Sequence, residues 1–200
     1  METGKLLKSL NEQTQLLIQQ AEILNSYDLF ELKWKENQDS WNILECLEHL
    51  NLYSNFYLPQ IEEKIKCAKT SKAPVFKTGF LGNYFAQSML PKESVKKMKT
   101  FKDKNPINNT LDKTVIDNYI KNHFWFLALL DKAEKVSLNK VRIATSFSKL
   151  IQLKLGDTFR FLVNHHLRHL AQIERIKTAM EKNIPKNYLK HNPDSFLPIK

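Results

Sequence analysis

A chain of 200 residues with 42% hydrophobic content is long enough for one domain with a full-sized core, and four glycines and seven prolines are too few for a sheet-rich fold with many tight turns. The net charge of +10 does not amount to a nucleic-acid footprint: Arg142, Arg160, Arg168 and Arg175 are the only arginines, and the lysines are scattered rather than gathered on one element. The longest wholly apolar run, Phe124–Leu130, is far too short to span a bilayer, so no membrane segment is expected.

Residues 4–25 are predicted as the first helix, with Leu6, Leu7, Leu10, Leu17, Ala21 and Leu24 as its buried stripe. The opening METGKLLKSLNEQTQ lacks the apolar core of a signal peptide, and the chain is read as cytoplasmic. Ser26–Ser40 reads as a connector, with Trp34 and Trp41 as packing anchors. The second helix starts at Asn42, where Asn42 and Glu45 have the spacing of a capping box, and runs to about Ala68 through Pro59, which is expected to kink it. His49 lies at the edge of its apolar stripe. It reads either as a core histidine or, with Cys46 one turn earlier, as half of a Cys-x2-His chelate. A single cysteine at a helical core position more often only packs. In a reducing compartment Cys46 and Cys67 are not expected to form a disulfide.

Residues 69–109 form a long crossover with a short helix at Gly82–Met89 and an irregular, lysine-rich stretch at Pro91–Asn109. The third helix spans about Leu111–Ala133 and carries His123, read as a core or boundary histidine. Ser137–Lys154 is extended, with a short strand at Val141–Ile143. The fourth helix covers Leu155–Lys182, and its apolar positions recur every three or four residues. Residues 1–182 are taken as the domain, and 183–200, with three prolines and no periodicity, as a tail that packs on it or is disordered.

The fourth helix holds His165, His166 and His169. His165 and His169 are one turn apart on one face, a spacing that lets two imidazoles chelate one ion. Helix projection puts His166 near the centre of the apolar stripe and His165 on its flank, so a His166/His169 pair competes with it. The bland alternative is one buried core histidine and one solvated one.

Two stretches resemble the DinB-like superfamily of damage-inducible and thiol-transferase-related proteins. One is Trp41-Asn42-Ile43-Leu44-Glu45-Cys46-Leu47-Glu48-His49-Leu50; the other runs from Leu155-Gly156-Asp157 through Phe161, His165, Arg168-His169-Leu170, Gln172 and Glu174-Arg175. The Lys96–Pro106 stretch is similar to the family's inter-helix linker. The resemblance implies an all-α fold: a four-helix bundle of up-down-down-up topology with the long crossover between helices two and three. It implies a divalent metal, zinc or nickel, held by His49, His165 and His169. Asn42 stands where the family often has serine or threonine, and His166 where it usually has a different residue.

Three imidazoles leave such an ion at least one open position, and each ligand's second nitrogen needs an oxygen acceptor, for which Gln172 and Glu45 are candidates. The resemblance points to a metal-dependent thiol S-transferase that activates a low-molecular-weight thiol against a small electrophile. The other reading is a non-enzymatic, stress-related metal-binding bundle with a ligand or partner at its cleft. A homodimer is expected from the family's habit and the surplus of aromatic residues.

Overall fold

The computed structural model describes residues 1–91 and 100–185. Its helices are α1 (Thr3–Leu24), α2 (Leu29–Lys33), α3 (Ile43–Lys66), α4 (Phe80–Ser88), α5 (Thr114–Ala133) and α6 (Leu155–Asn183). A single turn of 3-10 helix at Lys102–Lys104 interrupts the crossover. The chain is mostly helical but not all-α, because β1 (Arg142–Thr145) and β2 (Ser148–Lys154) pair antiparallel, Ile143 opposite Leu153. The expected strand at Val141–Ile143 is thus half of a hairpin. Thr145 pairs with Ser148 across an irregularity in register, and its hydroxyl donates to the Ser148 carbonyl.

The four long helices close a ring of contacts: α1 against α5, α5 against α3, α3 against α6, and α6 against α1. Each contributes a period-3.6 apolar stripe, and burying that stripe supplies most of the helix's stability. The expected connector holds α2. Asp28 caps it, accepting from the Glu31 N–H at 2.9 Å while the Glu31 carboxylate accepts from Asp28 N–H at 2.8 Å. Asn42 and Glu45 form the same reciprocal cap on α3, at 2.8 and 2.9 Å. The helix then continues through Pro59.

The start of α6 is fixed by its surroundings. The Leu155 and Gly156 N–H groups, orphans of the first turn, donate to the carbonyls of Val141 and Leu138. Gly156 is needed there because a Cβ would come within 2.6 Å of the Phe76 ring. At the next position, the buried Asp157 carboxylate accepts from the Thr78 hydroxyl and from the Gly79 N–H at 2.8 Å, which docks α4 onto α6.

The core is two apolar clusters. One gathers Leu6, Tyr57, Ile61, Leu130 and Phe159; the other gathers Leu24, Ile43, Leu47, Ile116 and Ile173. On α5, His123 falls between the residues of one cluster and those of the other. On α6, His165, His166 and His169 do the same. His49 on α3 lies beside the same boundary, so five buried histidines form a polar layer at the seam. Among the described residues no helix is long and apolar enough to cross a membrane. The tail assigned to 183–200 lies, from residue 186 onward, outside the described residues, as does the part of the expected linker up to residue 99.

Candidate metal centre

His49 projects from the second turn of α3, and His165 and His169 from successive turns of α6. The α3–α6 contact brings their rings together. Nε2 of His165 lies 3.2 Å from Nε2 of His49 and 3.2 Å from Nε2 of His169, and the possible ligand atoms of all three lie within 4.8 Å of one another. A tetrahedral ion with bonds of ~2.0–2.1 Å sets its ligand nitrogens about 3.3–3.4 Å apart, which the two 3.2 Å separations at His165 match.

The second ring nitrogens decide which tautomers are present. His49 Nδ1 is 2.6 Å from the carbonyl of Lys104, which can only accept, so Nδ1 carries the proton and Nε2 a lone pair. His169 Nδ1 is 3.0 Å from Gln172 Oε1 and donates to it, with the same result. Both lone pairs point at His165 Nε2. Nδ1 of His165 is buried without a hydrogen-bond partner among the described residues. If His165 carries its proton on Nδ1, that N–H is buried unpaired and its Nε2 lone pair meets those of His49 and His169; if on Nε2, a single N–H serves two acceptors and Nδ1 is left bare. A shared cation gives all three Nε2 lone pairs a partner, so the donor set fits a metal ion.

Burial keeps all three rings neutral, the form that ligates. The His49 pKa is pushed down to about 4 by burial first; the hydrogen bond to Lys104 opposes this and the Lys104 ammonium adds to it. His169 falls to about 3, again by burial, with His49 nearby lowering it further and Gln172 opposing. His165 lies well below the usual range through burial and then the proximity of His169 and His49. Around the cluster stand aromatic rings. Trp41 lies 4.8 Å from His49 and stacks at 5.8 Å on His169. Tyr53 sits 5.0 and 4.7 Å from His49 and His165, and Phe161 stacks on His165 at 5.8 Å.

His166 is not part of this group. Its Nδ1 is 3.2 Å from the Tyr119 hydroxyl and its ring is 4.6 Å from that of His123, whose own Nδ1 donates to the Tyr119 carbonyl at 2.8 Å. Cys46, one turn before His49, is buried in the apolar cluster, and burial pushes its thiol pKa far up. Glu45 is not turned to a histidine. Its Oε2 accepts from Asn42 N–H, and its Oε1 accepts from Lys35 Nζ at 2.8 Å and from Asn108 N–H at 2.7 Å. Two participants escaped the sequence reading. Trp41, expected to be a packing anchor, walls the histidines. The Lys104 carbonyl is a backbone group on the crossover, which no side-chain pattern announces.

The family model of the DinB superfamily matches residues 19–173, a span that includes all three converging histidines. No curated protein and no solved structure matches the chain.

Proposed function

Since this chain belongs to the DinB superfamily, we propose that His49, His165 and His169 hold one divalent ion, zinc or nickel, and that the protein is a metal-dependent thiol transferase. What carries the reading is the convergence of three Nε2 atoms whose lone pairs have no better partner than a cation. When bound, the ion supplies Lewis acidity that keeps a coordinated thiol deprotonated at neutral pH. The remaining work falls to the chain. The Lys104 carbonyl and Gln172 hold the His49 and His169 rings in register. Trp41, Tyr53 and Phe161 keep water from the rings and lower the local dielectric. In the reaction class proposed, the thiolate sulfur forms a bond to an electrophilic carbon, and the leaving group departs with the electron pair of the bond that breaks.

The same reading takes the four long helices as an up-down-down-up bundle within residues 1–182. It pairs two copies through exposed aromatic residues such as Phe80, Tyr84 and Phe124, which light scattering tests. A second reading, a non-enzymatic bundle stabilised by its metal, is favoured by burial: none of the three rings is more than 8% exposed. Metal analysis of the purified protein, beside a thiol-transfer assay with a generic electrophile, tests both. Bound metal with thiol-dependent turnover supports the enzyme. Bound metal with no turnover across several electrophiles, and a large drop in melting temperature on chelation, supports the structural role. No bound metal overturns both.

A further inference from the structure

The crossover segment 102–108 reaches back over α3 at two points. The Lys104 carbonyl accepts from His49 Nδ1, and the Asn108 N–H donates to Glu45 Oε1 at 2.7 Å. Glu45 and His49 are four residues apart on α3, and Lys104 and Asn108 are four apart on the crossover, so the two contacts run side by side. Lys35 closes the arrangement from a third segment: its Nζ is 2.8 Å from Glu45 Oε1 and 3.4 Å from Asn108 Oδ1. The Glu45 side chain is 1% exposed and that of Lys35 20% exposed, so this is a shielded ion pair rather than a solvated one. Asn108 has φ 63°, the left-handed region, which Asn tolerates, and there the chain turns its N–H toward Glu45.

We propose that Glu45 is a positioning residue for the metal site. With Lys35 it latches segment 102–108 onto α3, and the latch delivers the carbonyl that fixes the tautomer and orientation of His49. The inference rests on the metal reading above. An outer partner of a metal-bound histidine commonly sets affinity by 10–100-fold, because it determines which nitrogen presents its lone pair and in what direction. Here that partner is a backbone carbonyl on a loop, so its position depends on whatever ties the loop down.

Glu45→Gln isolates the latch from the helix cap. Glutamine serves in a capping box as glutamate does, so its Oε1 still accepts from the Asn42 N–H. Its amide nitrogen then faces the Lys35 ammonium and the Asn108 N–H, donor against donor, and the segment is released. Asn108→Gly is the control, since it keeps both the N–H and the positive φ.

The probe is cobalt(II) alone, titrated into the full chain and followed by its visible absorption. Amide hydrogen exchange over residues 100–109 and the 15N shifts of the His49 ring are recorded without metal. We expect Glu45→Gln to weaken cobalt binding 10–100-fold, speed exchange in 100–109 and shift His49 from a single Nδ1–H tautomer to a mixture, while Asn108→Gly stays within about 3-fold of wild type. Unchanged cobalt affinity in Glu45→Gln despite faster exchange overturns the proposal and leaves the metal reading intact. If wild-type protein binds no cobalt, the metal reading fails, and the ring shifts alone decide: an unmoved His49 tautomer in Glu45→Gln overturns the latch.

Discussion

The buried seam holds two groups of histidines made of the same ingredients and arranged to opposite effect. In the first group the Nε2 atoms of His49 and His169 each lie 3.2 Å from that of His165, and the outer nitrogens of His49 and His169 are tied to oxygen acceptors. In His123 and His166 the Nδ1 atoms go to opposite ends of one residue, the carbonyl and the hydroxyl of Tyr119, and the two rings meet edge to face. Both groups are buried, and burial lowers every one of their pKa values. Neither burial nor a depressed pKa therefore distinguishes a ligand set from a core pair. The direction of the spare lone pairs does.

Swapping the two groups by mutation should break this comparison if it is wrong. His169→Ala removes one of three donors, and metal content after dialysis should fall to the background of a chelated sample. His166→Phe removes a histidine three residues away and should leave one metal per chain. Plasma emission on matched preparations checks both. Metal retained in His169→Ala but lost in His166→Phe would assign the site to the other pair.

Acid separates the groups next. The folded pKa of His123 is about 4 against an ordinary 6.5, so between these values the unfolded chain binds a proton that the folded chain does not. Stability from this residue is fully present above pH 6.5 and is lost as pH falls toward 4. At ~1.4 kcal/mol per unit this amounts to about 3 kcal/mol. His123→Leu should flatten that part of the denaturation profile, measured with urea at half-unit steps. Metal bound to the other group stabilises the fold most where its histidines are unprotonated, so chelator should lower the stability of wild type more at pH 8 than on the acid limb.

How much of this could be read from the sequence differs by element. The long helices were legible because their leucine and isoleucine stripes keep one period over many turns, and the Asn42 cap was legible from its Glu45 partner. The α2 helix carried the same Asp-x2-Glu signal, but five residues give too little periodicity to set it apart from a connector. The β1–β2 hairpin lacks alternation on β2, most of whose residues are not buried, so only β1 left a trace. In the site, His165 and His169 announced themselves by spacing. Motif spacing favours His165 over His166, whereas the apolar pattern does not, because both are buried and the projection of an ideal helix puts His166 nearer the centre of the stripe. What separates them is the partner helix: Tyr119 on α5 takes one and His49 on α3 faces the other.

Gln172→Leu tests whether an oxygen acceptor is what orders the first group. It removes the acceptor 3.0 Å from His169 Nδ1 without touching a ligand. Metal affinity should fall by about 10–100-fold, less than for loss of the histidine itself, with no change in stoichiometry. Competition with a chromophoric chelator reads the difference. An equal loss in Gln172→Leu and His169→Ala would mean that the helix, not the ring, had been disturbed.

The smallest expected effect is at Cys46, and it bears on a chelate with His49 that the sequence allows but ranks below simple packing. A thiol one turn before His49 could share an ion with it. The structure instead places Cys46 among Ile43, Leu44, Leu47 and Leu50 in the apolar cluster, where burial disfavours the thiolate that a metal would require. Cys67, at the end of α3, is exposed and is also a free thiol. Cys46→Ala should leave cobalt affinity within about 2-fold of wild type and lower stability by about 1 kcal/mol, as loss of one small buried atom does. An aromatic disulfide reagent should modify one thiol per native chain, at Cys67, and reach Cys46 only as fast as the protein unfolds. A sulfur-to-cobalt charge-transfer band in the near ultraviolet that disappears in Cys46→Ala would place sulfur on the ion. The three-nitrogen set would then have to give way to one that includes Cys46.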